Sequence, residues 1–479
     1  MSIPTRIAVL GGGLTGLAAA HRLVELRGDR PLEIHLYEAG SRWGGLVGTI
    51  ERDGYLIDTG GDSFITNKPG ALQLCQRLGL SDRLQATDTN HRGALVLFDG
   101  RPYPVPEGFQ LLSPTAIGPV LRSPILSPWG KVRMAFEPFI PPRKGNGDES
   151  LASFVRRRFG NEVLERLVQP LVGGIYTSDP EKLSLRATMP RFLDMEQKYG
   201  SLLRAMRQAK SALVEDTAST GARYGLFAGL RGGMQELIDT LVARIAPHVT
   251  MHLHTAVDCV ERWDAPSRYR LRFRVAQATP PDAFDHVIST LPTARSAALF
   301  ENVDPQLATS LRDIEYASST IVVTGHDLAD IAHPLNAFGL VIPHRERRRI
   351  LAVSFNTRKF PNRAPAGRTL LRTFVGGAMQ PELAELDDAA TVQLVREELA
   401  ATLGVQGEPD FAIVVRYPRA MPQYHLGHCD RVAVIERQVA AHPGLHLAGN
   451  AYRGVGIPDA IHSGEQAAER VLSHATSLN

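Results

Sequence analysis

Ile7-Ala8-Val9-Leu10-Gly11-Gly12-Gly13-Leu14-Thr15-Gly16 is where the fold becomes legible. Four apolar residues, rich in strand formers, run into a glycine cluster. Leu17 to Leu26 (LAAAHRLVEL) then has helical spacing, and Leu32 to Tyr37 is a second strand-like run closed by Glu38. This strand–turn–helix–strand order gives the G-x-G-x-x-G pattern its meaning as a dinucleotide-binding turn. Gly11 permits the tight turn, Gly13 lets the backbone approach a pyrophosphate, and Gly16 lets helix and strand pack closely. The N-terminus of that helix, preceded by Leu14 and Thr15, offers free N–H groups and a positive dipole end. The Glu38 carboxylate can accept from both ribose hydroxyls of an adenosine and would repel a 2′-phosphate, which disfavours NADP relative to NAD or FAD. A chance glycine loop is the plain alternative.

The next residues separate NAD from FAD. Glu38-Ala39-Gly40-Ser41-Arg42-Trp43-Gly44-Gly45 forms E-x3-R-x-G-G, which resembles the second element of amine-oxidase-like flavoproteins and is lacking in NAD-only Rossmann domains. Arg42 can reach the pyrophosphate or stay a solvated charge. The glycine pair before Leu46 allows close backbone approach. The far end of the chain returns to this chemistry. Gly444 to Gly449 reads as a buried strand, Asn450 to Asp459 as a glycine-punctuated loop, and Ala460 to Leu472 as an amphipathic helix, with Pro458 and Asp459 as start signals. A helix N-terminus aimed at a flavin stabilises the charge gained on reduction. The segment from Leu230 to Pro292 joins the same unit. It has a helix at Gln235 to Ile245 and strands near Thr250 to His254, Val257 to Arg262 and Phe284 to Ser289.

Composition sets the frame. A chain of 479 residues exceeds one core and suggests two or three domains. With 43% hydrophobic and 22% charged residues it is globular. Lys+Arg of 53 against Asp+Glu of 50 leaves +3, too little basic excess for a dedicated nucleic-acid binder. Three scattered cysteines, Cys75, Cys259 and Cys429, favour a reducing compartment over a disulfide or zinc framework. The glycines in Ile7 to Ala20 argue against a signal peptide, and no run reaches the roughly 20 apolar residues of a membrane span. The expectation is a cytoplasmic protein, with peripheral contact to the cytoplasmic membrane left open.

On these motifs the sequence resembles the protoporphyrinogen/coproporphyrinogen oxidases, oxygen-dependent flavoproteins of haem synthesis. The resemblance runs nearly the whole length: GGGLTGLAAAHRL, EAGSRWGG, DTGGDSF (Asp58 to Phe64), LVGGIYTSDPEKLSLRATMP (Leu171 to Pro190), AFGLVIP (Ala337 to Pro343), AMPQYHLGH (Ala420 to His428) and GNAYRGVGIPDAIHSG. It implies a mixed α/β and α+β fold of three domains. A discontinuous Rossmann-like FAD-binding domain would span 1–90, 230–290 and 422–479. A substrate domain with an antiparallel sheet would span 91–107 and 291–421, and an inserted helical domain 108–229. Strand-like runs at Thr320 to Thr324, Ile350 to Phe355, Thr369 to Val375 and Phe411 to Tyr417, with a helix at Ala389 to Leu403, fit that sheet. Leu151 to Phe159 and Glu162 to Leu171 read as helices of the insertion. Its runs Phe109 to Leu112 and Ile125 to Trp129 serve equally as membrane-facing surface or core.

The resemblance also implies a reaction and a site. A porphyrinogen would lose six electrons in three two-electron steps to FAD, with oxygen as acceptor and hydrogen peroxide as product. Gly60, Gly61, Asp62, Ser63, Val257, Asn450, Val455, Gly456 and Ile457 would join the glycine motifs around the cofactor. Phe338, Val341, Phe374 and Gly174 would meet the tetrapyrrole, with ordinary core packing the alternative for both phenylalanines. One position departs from the pattern: Ala94 stands where some members carry a propionate-binding arginine, and Arg92 lies just upstream. No general base and no metal are expected, and a homodimer is left open. Rival readings are another FAD-dependent amine oxidase or desaturase, an inactive flavin-binding regulatory protein, and an NAD-dependent dehydrogenase.

Overall fold

The computed structural model describes residues 4–91, 93–114, 117–145, 147–213, 226–263, 267–274 and 282–476. Thr5–Leu10 (β1), Leu32–Tyr37 (β2), Val249–His252 (β3), His286–Ser289 (β4) and Leu445–Leu447 (β5) form a parallel sheet in the order β3-β2-β1-β4-β5. Ile7 to Leu10 of the central strand is a continuous apolar run because both faces are covered, while the flanking strands carry the buried His35, His286 and His446. Leu14–Leu26 (α1), Gln235–Ile245 (α2) and Ile457–Thr476 (α3) cover one face, with Leu17, Leu23, Ile34, Leu237 and Ile461 in a single core. Ala8, Tyr37, Phe284, Leu299 and Leu311 pack on the other. Strand order reverses at β1, so the crevice at its carboxyl end is the switch point where such sheets bind ligands.

Several expected boundaries move, three of them around the parallel sheet. Phe284 to Ser289 is two strands rather than one. Ala283–Phe284 pairs with Tyr269–Phe273 in a small antiparallel sheet, and the parallel strand starts at His286. Between them the Asp285 carboxylate accepts from the Arg6 N–H at 2.8 Å, pinning the crossing to β1. α3 begins at Ile457, not Ala460. Pro458 lies in its first turn, where a missing N–H costs nothing. α1 begins at Leu14 and takes over half of the glycine motif.

The second sheet has seven strands, in the order Phe411–Pro422, Tyr316–Asp327, Arg368–Gly376, Ala352–Phe355, Gly339–Val341, Leu95–Phe98 and Arg101–Pro104. It is antiparallel but for one pair, Leu340 with Leu95. That pair is parallel because the 95–104 hairpin joins from the far side of the helical insertion rather than through a tight turn. Val322, Leu340, Val353 and Leu371 point under the helix Asp388–Leu403. The opposite face carries Val341, Ala352, Phe374 and Ile321 side by side in register, and turns toward the hairpin Thr49–Arg52/Tyr55–Asp58.

The helical part packs around Phe154, Phe159, Leu167 and Phe192. Leu151–Phe159 is a helix, but Glu162 to Leu171 is not one regular turn sequence. Asn161–Val163 leads into a widened turn, Leu164–Val168, in which Gln169 N–H bonds Leu164 O, and then into Gln169–Tyr176. Pro170 has no N–H for the carbonyl four residues back, and the wider turn absorbs the lost bond. Leu112, Ile125 and Leu126 are core, so both runs weighed for membrane contact are largely interior; Trp129 stands out of them, 79% exposed. No described helix is long and apolar enough to cross a membrane.

Candidate cofactor and substrate site

Four loops meet at the carboxyl end of β1. Gly11 has φ +108°, a turn only glycine makes cheaply, and Gly11 N–H reaches Tyr37 O at 2.8 Å. A Cβ on Gly16 would stand 1.9 Å from Gly11 O, and one on Gly12 2.4 Å from the Trp43 ring. Gly44 N–H bonds Gly12 O at 2.8 Å, which lays the 44–45 turn along the first loop. A Cβ on Gly60 would strike Leu46 O at 1.8 Å, and one on Gly61 would touch Ile457 Cδ1 at 3.3 Å. Gly13 and Gly45, and likewise Gly61 and Ile457, are thus neighbours although far apart in sequence.

Gly13 differs from its neighbours. It is the N-cap of α1, and a Cβ there would meet nothing nearer than Gly45 Cα at 3.9 Å. Protein packing demands glycine at 11, 12 and 16, whereas at 13 the missing side chain leaves open space over a helix N-terminus. That space fits a dinucleotide pyrophosphate lying against the first N–H groups of α1, at Leu14 and Thr15. The fit is a property of the groove's shape and donors.

The charged candidates are tied down. Glu38 accepts from Gly12 N–H at 2.8 Å and Gly40 N–H at 2.7 Å, which leaves further lone pairs on both oxygens for a ribose. Ala39 beside it is exposed. Arg42 donates to Gly45 O at 2.6 Å and Val47 O at 2.9 Å, so its guanidinium braces the turn that presents Gly45 and the exposed Leu46. Val257 opens the strand Val257–Arg262, two residues after Thr255 N–H bonds Glu38 O. Asn450 O accepts from Tyr424 OH at 2.6 Å, and Gly454 N–H donates to the same hydroxyl at 2.7 Å. Tyr424 thereby holds the loop that carries Val455 and Gly456; Gly456 N–H is capped by Asp459 at 3.2 Å.

The substrate candidates are distributed differently. Val341 and Phe374 are half-buried on one face of the large sheet, each in register with Ala352 between them. Phe338 lies one residue ahead of its strand, level with Phe355 and bonded to Gly93 O at 2.9 Å, so it stands at the strand mouth rather than in that row. Gly174 is exposed in Gln169–Tyr176, with nothing within 4 Å of where its Cβ would be. That helix meets the same sheet end through Gln169, which accepts from His344 N–H at 2.9 Å. Ala94 leads into Leu95–Phe98 and its carbonyl takes Val105 N–H at 2.9 Å. Arg92 lies outside the described residues.

Sequence reasoning missed the side chains that join the two bodies. Tyr417 OH donates to Thr59 O at 2.6 Å. Lys359 donates to Asp62 and Ser63, each at 2.7 Å, and Arg372 pairs with Asp62 at 3.0 Å. Burial pushes the Asp62 carboxyl up, but Lys359 and Arg372 outweigh it and hold it well below the ordinary range. The one local signal was Arg372 itself, a charge set into the apolar strand RTLLRTFVG.

Residues 14–472 match the flavin-containing amine oxidoreductase family. The chain belongs to that family. It is similar to coproporphyrinogen III oxidase of Bacillus subtilis, with 33% identity over 98% of both chains. The same enzyme of Staphylococcus aureus is 32% identical over 98% of this chain and 99% of its own. A crystal structure from Exiguobacterium sp. 255-15, proposed to be a protoporphyrinogen oxidase, superposes with TM-score 0.85 at 31% identity, covering 98% of this chain and 99% of that one. The protein is an FAD-dependent oxidoreductase of this family. Bound FAD would supply a two-electron acceptor. The N-terminus of α1 and the glycine turns at Gly11–Gly13 and Gly44–Gly45 are the parts of the chain that would hold it.

Proposed function

We propose that the protein oxidises a porphyrinogen to the porphyrin in haem biosynthesis, with oxygen as final acceptor and hydrogen peroxide released. Six electrons leave the substrate in three two-electron steps, and each pair passes to one oxygen, so three peroxides form. The observation that carries this reading is the full-length likeness to two coproporphyrinogen III oxidases, together with the apolar row Val341–Ala352–Phe374 on one face of the large sheet. An electron-rich macrocycle whose pyrroles are joined by saturated carbons needs a broad apolar wall and an excluded solvent more than a strong base. Val341 and Phe374 would form that wall, with Phe338 and Gly174 at its rim. Coproporphyrinogen III is the favoured substrate, since both of these relatives are coproporphyrinogen III oxidases. Peripheral membrane contact fits an apolar patch at the helical end. Trp129, Phe136 and Phe139 are exposed there with Val132 and Leu121, next to Lys131 and Arg133.

The test is turnover on coproporphyrinogen III and protoporphyrinogen IX, followed by porphyrin fluorescence against the autoxidation rate. Faster appearance of coproporphyrin is expected. No acceleration with either substrate, from protein carrying FAD, would refute the proposal and return the inactive flavin-binding reading.

A further inference from the structure

Three cations of the large sheet and its loops converge on the segment Asp58 to Ser63. Arg372 pairs with Asp62 at 3.0 Å and donates to Gly60 O. Lys359 holds Asp62 and Ser63. Arg363 faces Asp58 at 3.4 Å and donates to Leu230 O at 3.0 Å. Arg363, Arg372, Asp58 and Asp62 are all buried. Three cations face two carboxylates, so the cluster holds one positive charge more than it neutralises. Burial pushes the Asp58 carboxyl up against the pull of Arg363, which makes the excess no smaller. Away from water such a charge acts over a longer range than it would at the surface. The Arg372 guanidinium also lies 5.7 Å from the centre of the Phe374 ring, so one side chain touches both the Gly60–Gly61 turn and the proposed substrate wall.

We propose that Arg372 and Lys359 are positioning residues that raise the reduction potential of the cofactor. They hold the Gly60–Gly61 turn and leave uncompensated positive charge beside a ring that gains negative charge on reduction. This rests on the reading of that turn as a wall of the cofactor groove. The large sheet, besides receiving substrate, then sets how readily electrons are accepted.

The experiment uses the FAD-loaded protein and its variants Arg372→Met, Arg372→Lys, Lys359→Met and Lys359→Arg. Three quantities are measured: FAD affinity, midpoint potential, and the affinity of the oxidised flavin for sulfite, which needs no substrate. Each Met variant should shift the two-electron equilibrium about tenfold toward the oxidised form, about 30 mV, and weaken sulfite binding about as much. The Lys and Arg exchanges, which keep the charge, should stay near wild type. Met variants with FAD bound and potentials unchanged would overturn the proposal. So would loss of FAD from both, which would make the role structural. Gly61→Leu separates the underlying reading: wild-type FAD affinity there would show that the turn does not face the cofactor, whatever the potentials do.

Discussion

Gly13→Val separates what the cofactor asks of this glycine from what the fold asks. The added Cβ would stand 3.9 Å from its nearest neighbour, and the backbone at φ −72°, ψ 176° is extended and open to any residue. The apoprotein should therefore fold as before, and the stiffer unfolded chain should stabilise it by about 0.4–1 kcal/mol. The valine would occupy the space over the helix N-terminus and lift a pyrophosphate off its N–H donors. Losing two hydrogen bonds to a charged group, at about 1.5–3 kcal/mol each, weakens FAD binding roughly a hundredfold to ten-thousandfold. Gly16→Ala is the contrast. Its Cβ would stand 1.9 Å from Gly11 O, a backbone clash that should destabilise the apoprotein by about 1–3 kcal/mol. FAD titration by fluorescence quenching and thermal melting of both apoproteins distinguish the two. Wild-type FAD affinity in Gly13→Val, or a melting loss matching that of Gly16→Ala, would refute the assignment of the open space to phosphate.

Other consequences concern stability, substrate and surface. His428 is buried against Tyr424, their rings 3.9 Å apart, and burial lowers its imidazole to about 4, partly opposed by the bond to Tyr452 O. The unfolded chain takes up this proton near pH 6.5 and the folded one only near 4, so about 3 kcal/mol of stability should be lost as pH falls across that window, and no more below it. Urea midpoints against pH should show the slope in wild type and a flatter profile in His428→Gln; equal slopes would assign it elsewhere. Phe374→Ala should raise KM for the porphyrinogen about 5- to 30-fold, from about 1–2 kcal/mol of lost contact, with FAD retained. An unchanged KM would leave Phe374 to core packing. Joint Trp129→Glu and Phe139→Glu substitution should lower co-sedimentation with anionic lipid vesicles about tenfold; a wild-type protein that does not sediment would exclude the membrane role.

The strand–turn–helix–strand at the start was determined by the chain alone. β1, α1 and β2 follow one another within about forty residues, and Gly12 meets Glu38 and Trp43 and Gly16 meets Gly11, although Gly11 itself lies against the distant Thr290. Gln235–Ile245 and Leu151–Phe159 were legible for the same reason: their periodicity is local. Boundaries failed where long-range pairing overrode local preference. The run 284–289 is divided because Ala283–Phe284 and His286–Ser289 are claimed by different sheets. The parallel pairing of Leu340 with Leu95 depends on how the chain returns from the helical insertion. Tertiary structure alone decided that Gly61 meets Ile457, that Val341 and Phe374 share a face while Phe338 stands apart, and that Asp62 is held by Lys359 from 297 positions away. A local pattern specifies which backbone a segment adopts. Which charges become buried together depends on how whole sheets pack, and periodicity within a segment carries no record of that.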